Sequence, residues 1–135
     1  MKTLSSLIIV FMLLASSVAY GQESADGNML LKRCNSAVRL SDEQSSKNFN
    51  FTQSLNAGVC LGKLEGMRTM NMLYRTTFLE GSDQTRFWCL PGNISISNSQ
   101  AARIVVKYLN DHPEKLHDEG WELAVIAFNE AFPCK

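Results

Sequence analysis

The chain has 135 residues, which suits a single domain, and its 13 basic and 13 acidic side chains balance to a formal charge of zero. Phosphate backbones are bound by surfaces with a basic excess, so this balance excludes nucleic acid as the main partner. Four cysteines in a small exported chain predict two disulfides, and three connectivities are open. No two cysteines have the C-x-x-C spacing of zinc sites, so we expect neither a metal nor another cofactor.

Residues 1–21 have the layout of a secretory signal peptide. Lys2 precedes an apolar run from Leu7 to Ala15, and small residues lead to a cleavage site that we place after Gly21. The apolar run is too short to hold the chain in a bilayer as an anchor. We therefore expect a cleaved segment 1–21 and a single domain over residues 22–135 that is exported and not membrane-anchored.

The first predicted helix runs from Met29 to about Leu40, because apolar residues recur there at helical spacing. Asp26 or Asn28 can accept hydrogen bonds from its first turn and so act as its N-cap. A polar loop over residues 41–48 separates it from the second helix.

The second predicted helix runs from about residue 49 or 51 to residue 76 and carries glycine at every fourth position, at Gly58, Gly62 and Gly66. Each mid-helix glycine costs roughly 1 kcal/mol relative to alanine, so the row costs about 3 kcal/mol. We expect another helix to offset this cost by packing closely on the row. Cys60 lies on a second apolar stripe, which predicts that this helix is the central one of the bundle.

Residues 86–92 contain an aromatic pair, a cysteine and a Pro-Gly turn. They are compatible with a short strand, but a packed connector held by a disulfide is favoured because no partner strand is visible. Ser97 and Gln100 match the capping box that begins a third helix, although the Ile-Val-Val run inside it would by itself favour a strand. Pro113 then starts a last helix that reaches Ala131, with Gly120 as its weakest point.

The chain carries no recognisable catalytic signature. His112 and His117 are five residues apart, so they do not lie side by side on one helix, and His112 is expected to make only a local hydrogen bond at a helix boundary. Nucleophile, phosphate-loop and zinc-protease motifs are missing from the sequence. We therefore predict a protein that is not an enzyme and has no catalytic residues. The acidic excess over residues 111–130 is either a solvated helix face or a patch for a basic partner.

Several segments together resemble a known bacterial family. They are Leu31-Lys32-Arg33-Cys34, Ala57-Gly58-Val59-Cys60-Leu61-Gly62, Phe87-Trp88-Cys89-Leu90-Pro91, Tyr108-Leu109-Asn110-Asp111-His112-Pro113-Glu114 and Ala127-Phe128-Asn129-Glu130-Ala131-Phe132-Pro133-Cys134. The chain resembles the Rap/Tai family, the resistance-associated and amidase-immunity proteins of type VI secretion systems. Trp88, between Phe87 and Cys89, departs from the family pattern, as does the Gly120-Trp121 pair.

The resemblance implies an all-α, disulfide-linked bundle of about four main helices. It also implies a periplasmic immunity protein whose protein partner is a peptidoglycan amidase effector that it binds and inhibits, and it is compatible with a homodimer. An alternative is a family member without a dedicated effector that has a general envelope or stress role. The residues that bind the partner are not identified; the loops 41–48 and 80–88 and the acidic last helix are the candidates.

For the disulfides we predict Cys34–Cys60 and Cys89–Cys134. The first would join the two consecutive helices, and the second would tie the connector to the segment after the last helix. Each is expected to contribute about 2–4 kcal/mol to stability.

Overall fold

The computed structural model describes residues 25–42, 49–77, 87–92 and 94–134, without the side chains of residues 75–77. These residues form an all-α bundle, as predicted, and contain no strand. Its helices are α1 (Gly27–Asp42), α2 (Phe51–Thr77), α3 (Asn98–Asp111) and α4 (Gly120–Ala131), with a 3-10 turn at Pro113–Lys115. The predicted signal peptide and most of the two candidate loops lie outside the described residues. Within the described ranges, no helix is both long and apolar enough to cross a membrane.

Helix α1 makes the most extensive contacts in the bundle, above all with α2 and α3 and to a smaller extent with α4. Its inward face buries Leu30, Cys34 and Ala37. Asp26 is its N-cap: the Asp26 carboxylate accepts a hydrogen bond of 2.9 Å from the backbone N–H of Met29. The helix therefore begins at Gly27, two residues before the predicted start.

Helix α2 buries only one of its two apolar stripes. Ala57, Cys60 and Leu64 face the core, with exposures of 1% or less. The glycine stripe faces outward, and a Cβ added at Gly58, Gly62 or Gly66 would meet no atom within 4 Å.

The expectation that another helix of the bundle packs on the glycine row is therefore wrong for the described residues, as is the central position of α2. A peripheral helix can turn only one face to the core, and the bond from Cys60 to α1 fixes which face that is.

Two disulfides hold the bundle together. Cys34 of α1 is bonded to Cys60 of α2, with their Cα atoms 5.1 Å apart. Cys89 of the connector is bonded to Cys134 beyond α4, with their Cα atoms 4.8 Å apart. This is the pairing expected from the sequence, and both spacings fall in the ordinary range for disulfides.

Helix α3 begins with the predicted capping box. The Ser97 backbone N–H donates to the Gln100 side-chain carbonyl at 2.8 Å, and the Gln100 backbone N–H donates to the Ser97 hydroxyl at 3.2 Å. Ala101, Val105 and Leu109 are fully buried along one face. The strand that the Ile-Val-Val run favours by itself does not form, because the capped start and the i, i+4 apolar pairs agree on a helix.

The last predicted helix is divided. After the 3-10 turn the chain crosses the start of α1, where backbone N–H groups of Gly27 and Asn28 donate to the carbonyls of Asp118 and Leu116 at 3.0 and 3.1 Å. Helix α4 starts only at Gly120, whose N–H donates to the Ala25 carbonyl at 2.9 Å. We expected Gly120 to be a weak point inside a helix, but it is the first residue of α4 and a position of close backbone approach.

Candidate protein-binding surfaces

The outward stripe of α2 is an exposed apolar surface, which we call the α2 outer face. It consists of Phe51, Leu55, Gly58, Val59, Gly62, Gly66 and Met70. The side chains of Phe51, Leu55 and Met70 are 81%, 54% and 60% exposed. At 100° per residue these seven positions span a 120° arc of the helix. Between residues 51 and 74, no charged side chain of α2 lies within that arc. Contiguous apolar surface of this kind marks interaction sites in soluble proteins.

The connector over residues 87–92 packs on the neighbouring side of α2 through a buried aromatic. Trp88 is 2% exposed, and its ring lies 4.8 Å from that of Phe128 in α4, centroid to centroid. The Asn71 amide holds the backbone on each side of the Trp88 ring: it donates to the Trp88 carbonyl and accepts from the Phe87 N–H, both at 3.2 Å. From α4, the Asn129 amide donates to the Phe87 carbonyl at 2.6 Å. The connector is thus fixed to two helices and a disulfide.

A groove of about 420 Å³ lies between α2 and the connector, and we call it the connector groove. Arg68 lines it and joins its two walls: its guanidinium donates to the Ile96 carbonyl and to the Asn98 side chain, both at 2.6 Å, and to Glu65 at 3.2 Å. Met72 and Ile94, each 57% exposed, supply apolar surface to the same groove. A concave site with a mixed apolar and polar lining, held in place by hydrogen bonds, is suited to binding a protein.

The acidic segment is partly neutralised by local pairs. Lys107 forms an ion pair with Asp111 one turn further along α3. His112 Nδ1 lies 3.1 Å from the Glu114 carboxylate, which confirms the local role predicted for this histidine. The pKa of Glu114 is lowered from its ordinary value, first by its own backbone N–H and then by His112. The segment is therefore closer to a solvated, internally paired surface than to a uniform acidic patch.

His112 and His117 do not form a site together. His112 is engaged with Glu114, while the exposed His117 lies 3.3 Å from Asp118. Across the described ranges, no group of three or more histidine, cysteine or acidic side chains is arranged to hold a metal ion.

Fold and surfaces together define a class: a small disulfide-linked helical domain whose exposed features are suited to binding another protein. The comparisons agree with that class. The sequence model of the Rap1a immunity protein family matches residues 26–134, so the chain belongs to this family. Neither the curated proteins nor the solved structures contain a match. Membership of this family indicates an immunity protein whose partner is a protein effector.

Sequence reasoning missed two features of these surfaces. It assigned the glycine stripe to the core, although the lack of any charge over that arc is equally compatible with an intermolecular contact. It also gave no role to Arg68, which the structure uses to join α2 to Ile96 and to the start of α3. A single arginine at helical spacing gives no sequence signal for such a role.

Proposed function

We propose that this protein is a periplasmic immunity protein that binds and inhibits a cell-wall amidase effector of a type VI secretion system. The observation that carries the proposal is the match to the Rap1a immunity proteins over residues 26–134. The sequence at residues 1–21, with its basic start, apolar run and small residues before Gly21, supports export to the compartment where such an amidase would act.

The connector groove is the surface that we expect to meet the effector. Its walls are held in place by Arg68 and Asn71, so little ordering entropy would be lost on binding. Trp88, which lines the groove, is the last residue of the 80–88 segment, one of the three candidates named from the sequence. Met72 and Ile94 would supply the apolar centre of the contact.

We propose, in addition, that the protein is a homodimer, as the family resemblance implies. A dimer would present two inhibitory surfaces and could hold two effector molecules at once. Dimer formation is separable from inhibition, so each can be tested without the other.

A protection experiment tests the proposed function. The full-length gene is expressed together with the amidase encoded beside it, with that amidase directed to the periplasm, and growth is recorded. We expect the protein to restore growth, and a variant that lacks residues 2–21 to fail at equal abundance. The matched control replaces residues 1–21 with another bacterial export signal. It should restore protection, because the chain again leaves the cytoplasm, where cysteines are kept reduced.

Binding is then tested on the purified partners. The oxidised protein should inhibit peptidoglycan hydrolysis by the amidase at a one-to-one ratio of sites, and Ile94→Asp in the connector groove should weaken binding by tenfold or more. Thr52→Asp, an exposed polar position on α2 away from the groove, is the control and should have no effect. Absence of a complex at micromolar concentration would reject the amidase proposal and favour a general envelope role.

A further inference from the structure

The glycines of α2 carry a cost that nothing in the described part of the chain offsets. Three glycines inside a helix cost about 3 kcal/mol relative to alanine. In the structure the space beside Gly58, Gly62 and Gly66 is open, so alanine would fit at all three positions without a clash. Within one copy of the molecule, the row therefore has no packing role.

The surroundings of the row are those of an interface core. Phe51 and Leu55 at one end and Met70 at the other leave apolar side chains in water, although the helix has a second apolar stripe that is already buried. Interface cores are depleted in charge, and small residues at every fourth position let two helix backbones approach more closely than the usual 8–10 Å. The α2 outer face is about 28 Å long at 1.5 Å per residue, which is enough for an extended helix–helix contact.

We infer that two copies of this protein pair through their α2 outer faces, with the two α2 helices parallel and each glycine row against the other. This inference rests on the proposed homodimer and names the surface that forms it. The connector groove borders this face, because Glu65 lines the groove and also marks one edge of the face, whereas Arg68 and Met72 of the groove lie farther round the helix.

The charges at the edges of the face select both the occupant and the orientation. Lys63 and Glu65 lie on opposite edges, each about 20° beyond the 120° arc. In a parallel pair related by a two-fold axis along the helices, the Lys63 edge of one copy faces the Glu65 edge of the other, with an axial offset of about 3 Å. An antiparallel pair centred on Gly62 would instead bring like charges together. Opposite charges that flank an apolar seam are the feature that fixes orientation in parallel helix pairs.

Sedimentation velocity on the full-length gene product, purified with its disulfides oxidised and without any effector, tests the surface. Over about 1 to 100 µM protein we expect a dimer in the wild type, within the range of affinities of moderate interfaces. Gly62→Arg should raise the dimer dissociation constant at least tenfold, and Ser54→Arg, exposed but outside the face, should leave it unchanged. Circular dichroism should show both variants folded, because the Gly62 position is open in one copy.

Charge reversal tests the orientation and does not depend on a bulky substitution. Lys63→Glu and Glu65→Lys should each weaken the dimer, and the double variant should regain most of the lost affinity. Glu65→Lys also removes the Glu65–Arg68 ion pair, so circular dichroism must first show that each variant is folded. Loss without recovery in the double variant would overturn the parallel pairing.

The possible failures are distinct. A wild type that stays monomeric up to 100 µM, or a Gly62→Arg dimer as tight as the wild type, would overturn the inference. If Gly62→Arg instead abolishes amidase binding while the wild type is monomeric, the face belongs to the effector and the inference fails. If the wild type forms a dimer that Gly62→Arg disrupts, but the wild type does not protect cells against the amidase, only the proposed function would be rejected.

Discussion

The contact at Gly120 leads to a prediction about stability that separates two kinds of glycine in this chain. An added Cβ at Gly120 would lie 2.6 Å from the Ala25 carbonyl oxygen and 2.8 Å from that of Asp26. Both neighbours are backbone atoms, which cannot turn away as a side chain can. Reaching an ordinary contact of 3.4 Å from the Ala25 oxygen requires a shift of about 0.8 Å. That shift would also break the 2.9 Å hydrogen bond from Gly120 to Ala25.

We therefore expect Gly120→Ala to destabilise the protein by about 2–4 kcal/mol, combining 1–3 kcal/mol for overpacking with about 1 kcal/mol for the hydrogen bond. For a domain of this size the thermal midpoint should fall by on the order of 10 °C. Urea unfolding of the oxidised protein, followed by far-ultraviolet circular dichroism, measures the change.

The matched control is Gly66→Ala, at a position with open space on α2. It should stabilise the monomer by up to about 1 kcal/mol when measured on dilute protein, because only the helix propensity changes. A Gly120→Ala variant within 0.5 kcal/mol of the wild type would show that the start of α1 yields easily, and the argument from close approach would be wrong.

Three further predictions concern the disulfide, the groove and pH. Replacing both Cys34 and Cys60 with alanine should lower the free energy of unfolding by about 2–4 kcal/mol, as measured with urea. Non-reducing peptide mapping of the wild type should recover the Cys34–Cys60 peptide, and a different partner for Cys34 would contradict the structure. Arg68→Met keeps the aliphatic stem but removes the guanidinium, and it should lower the free energy of unfolding by about 2 kcal/mol. An unchanged urea midpoint would mean that the three hydrogen bonds of Arg68 only replace equivalent bonds to water. The lowered pKa of Glu114 means that its stabilising contribution is present above the ordinary carboxyl pKa of 4.5 and is lost as pH falls through the lower folded value. Stability of Glu114→Gln should therefore change less between pH 5 and pH 2 than that of the wild type, and identical pH profiles would show that the bonds of the Glu114 carboxylate to its own backbone N–H and to His112 do not stabilise the fold.

The sequence predicts local features of this fold well because they are encoded by neighbouring residues. The capping box at Ser97 and the cap at Asp26 form as expected, since each depends on positions only three residues apart. The helical class follows from periodicity, and the two apolar stripes of α2, one of which contains Cys60, follow from the same pattern.

Features that depend on distant contacts were less accessible. Apolar periodicity identified two stripes on α2, but it cannot say which one faces the core or whether the other meets a second molecule. The break before α4 arises because residues 116–120 bond to the start of α1, about 90 residues away in the chain. The role of Arg68 depends on acceptors at residues 96 and 98, which only the folded connector brings within reach.

The order of the disulfides along the chain has a consequence for how the molecule is assembled. The two bonds are consecutive and neither nested nor interleaved: Cys34 pairs with Cys60 before Cys89 is reached, and Cys89 pairs with Cys134. A thiol oxidase that joins cysteines in the order in which they emerge from a translocation channel would therefore produce the native pairs directly. Maturation of this protein should consequently depend on an oxidase but hardly at all on a disulfide isomerase.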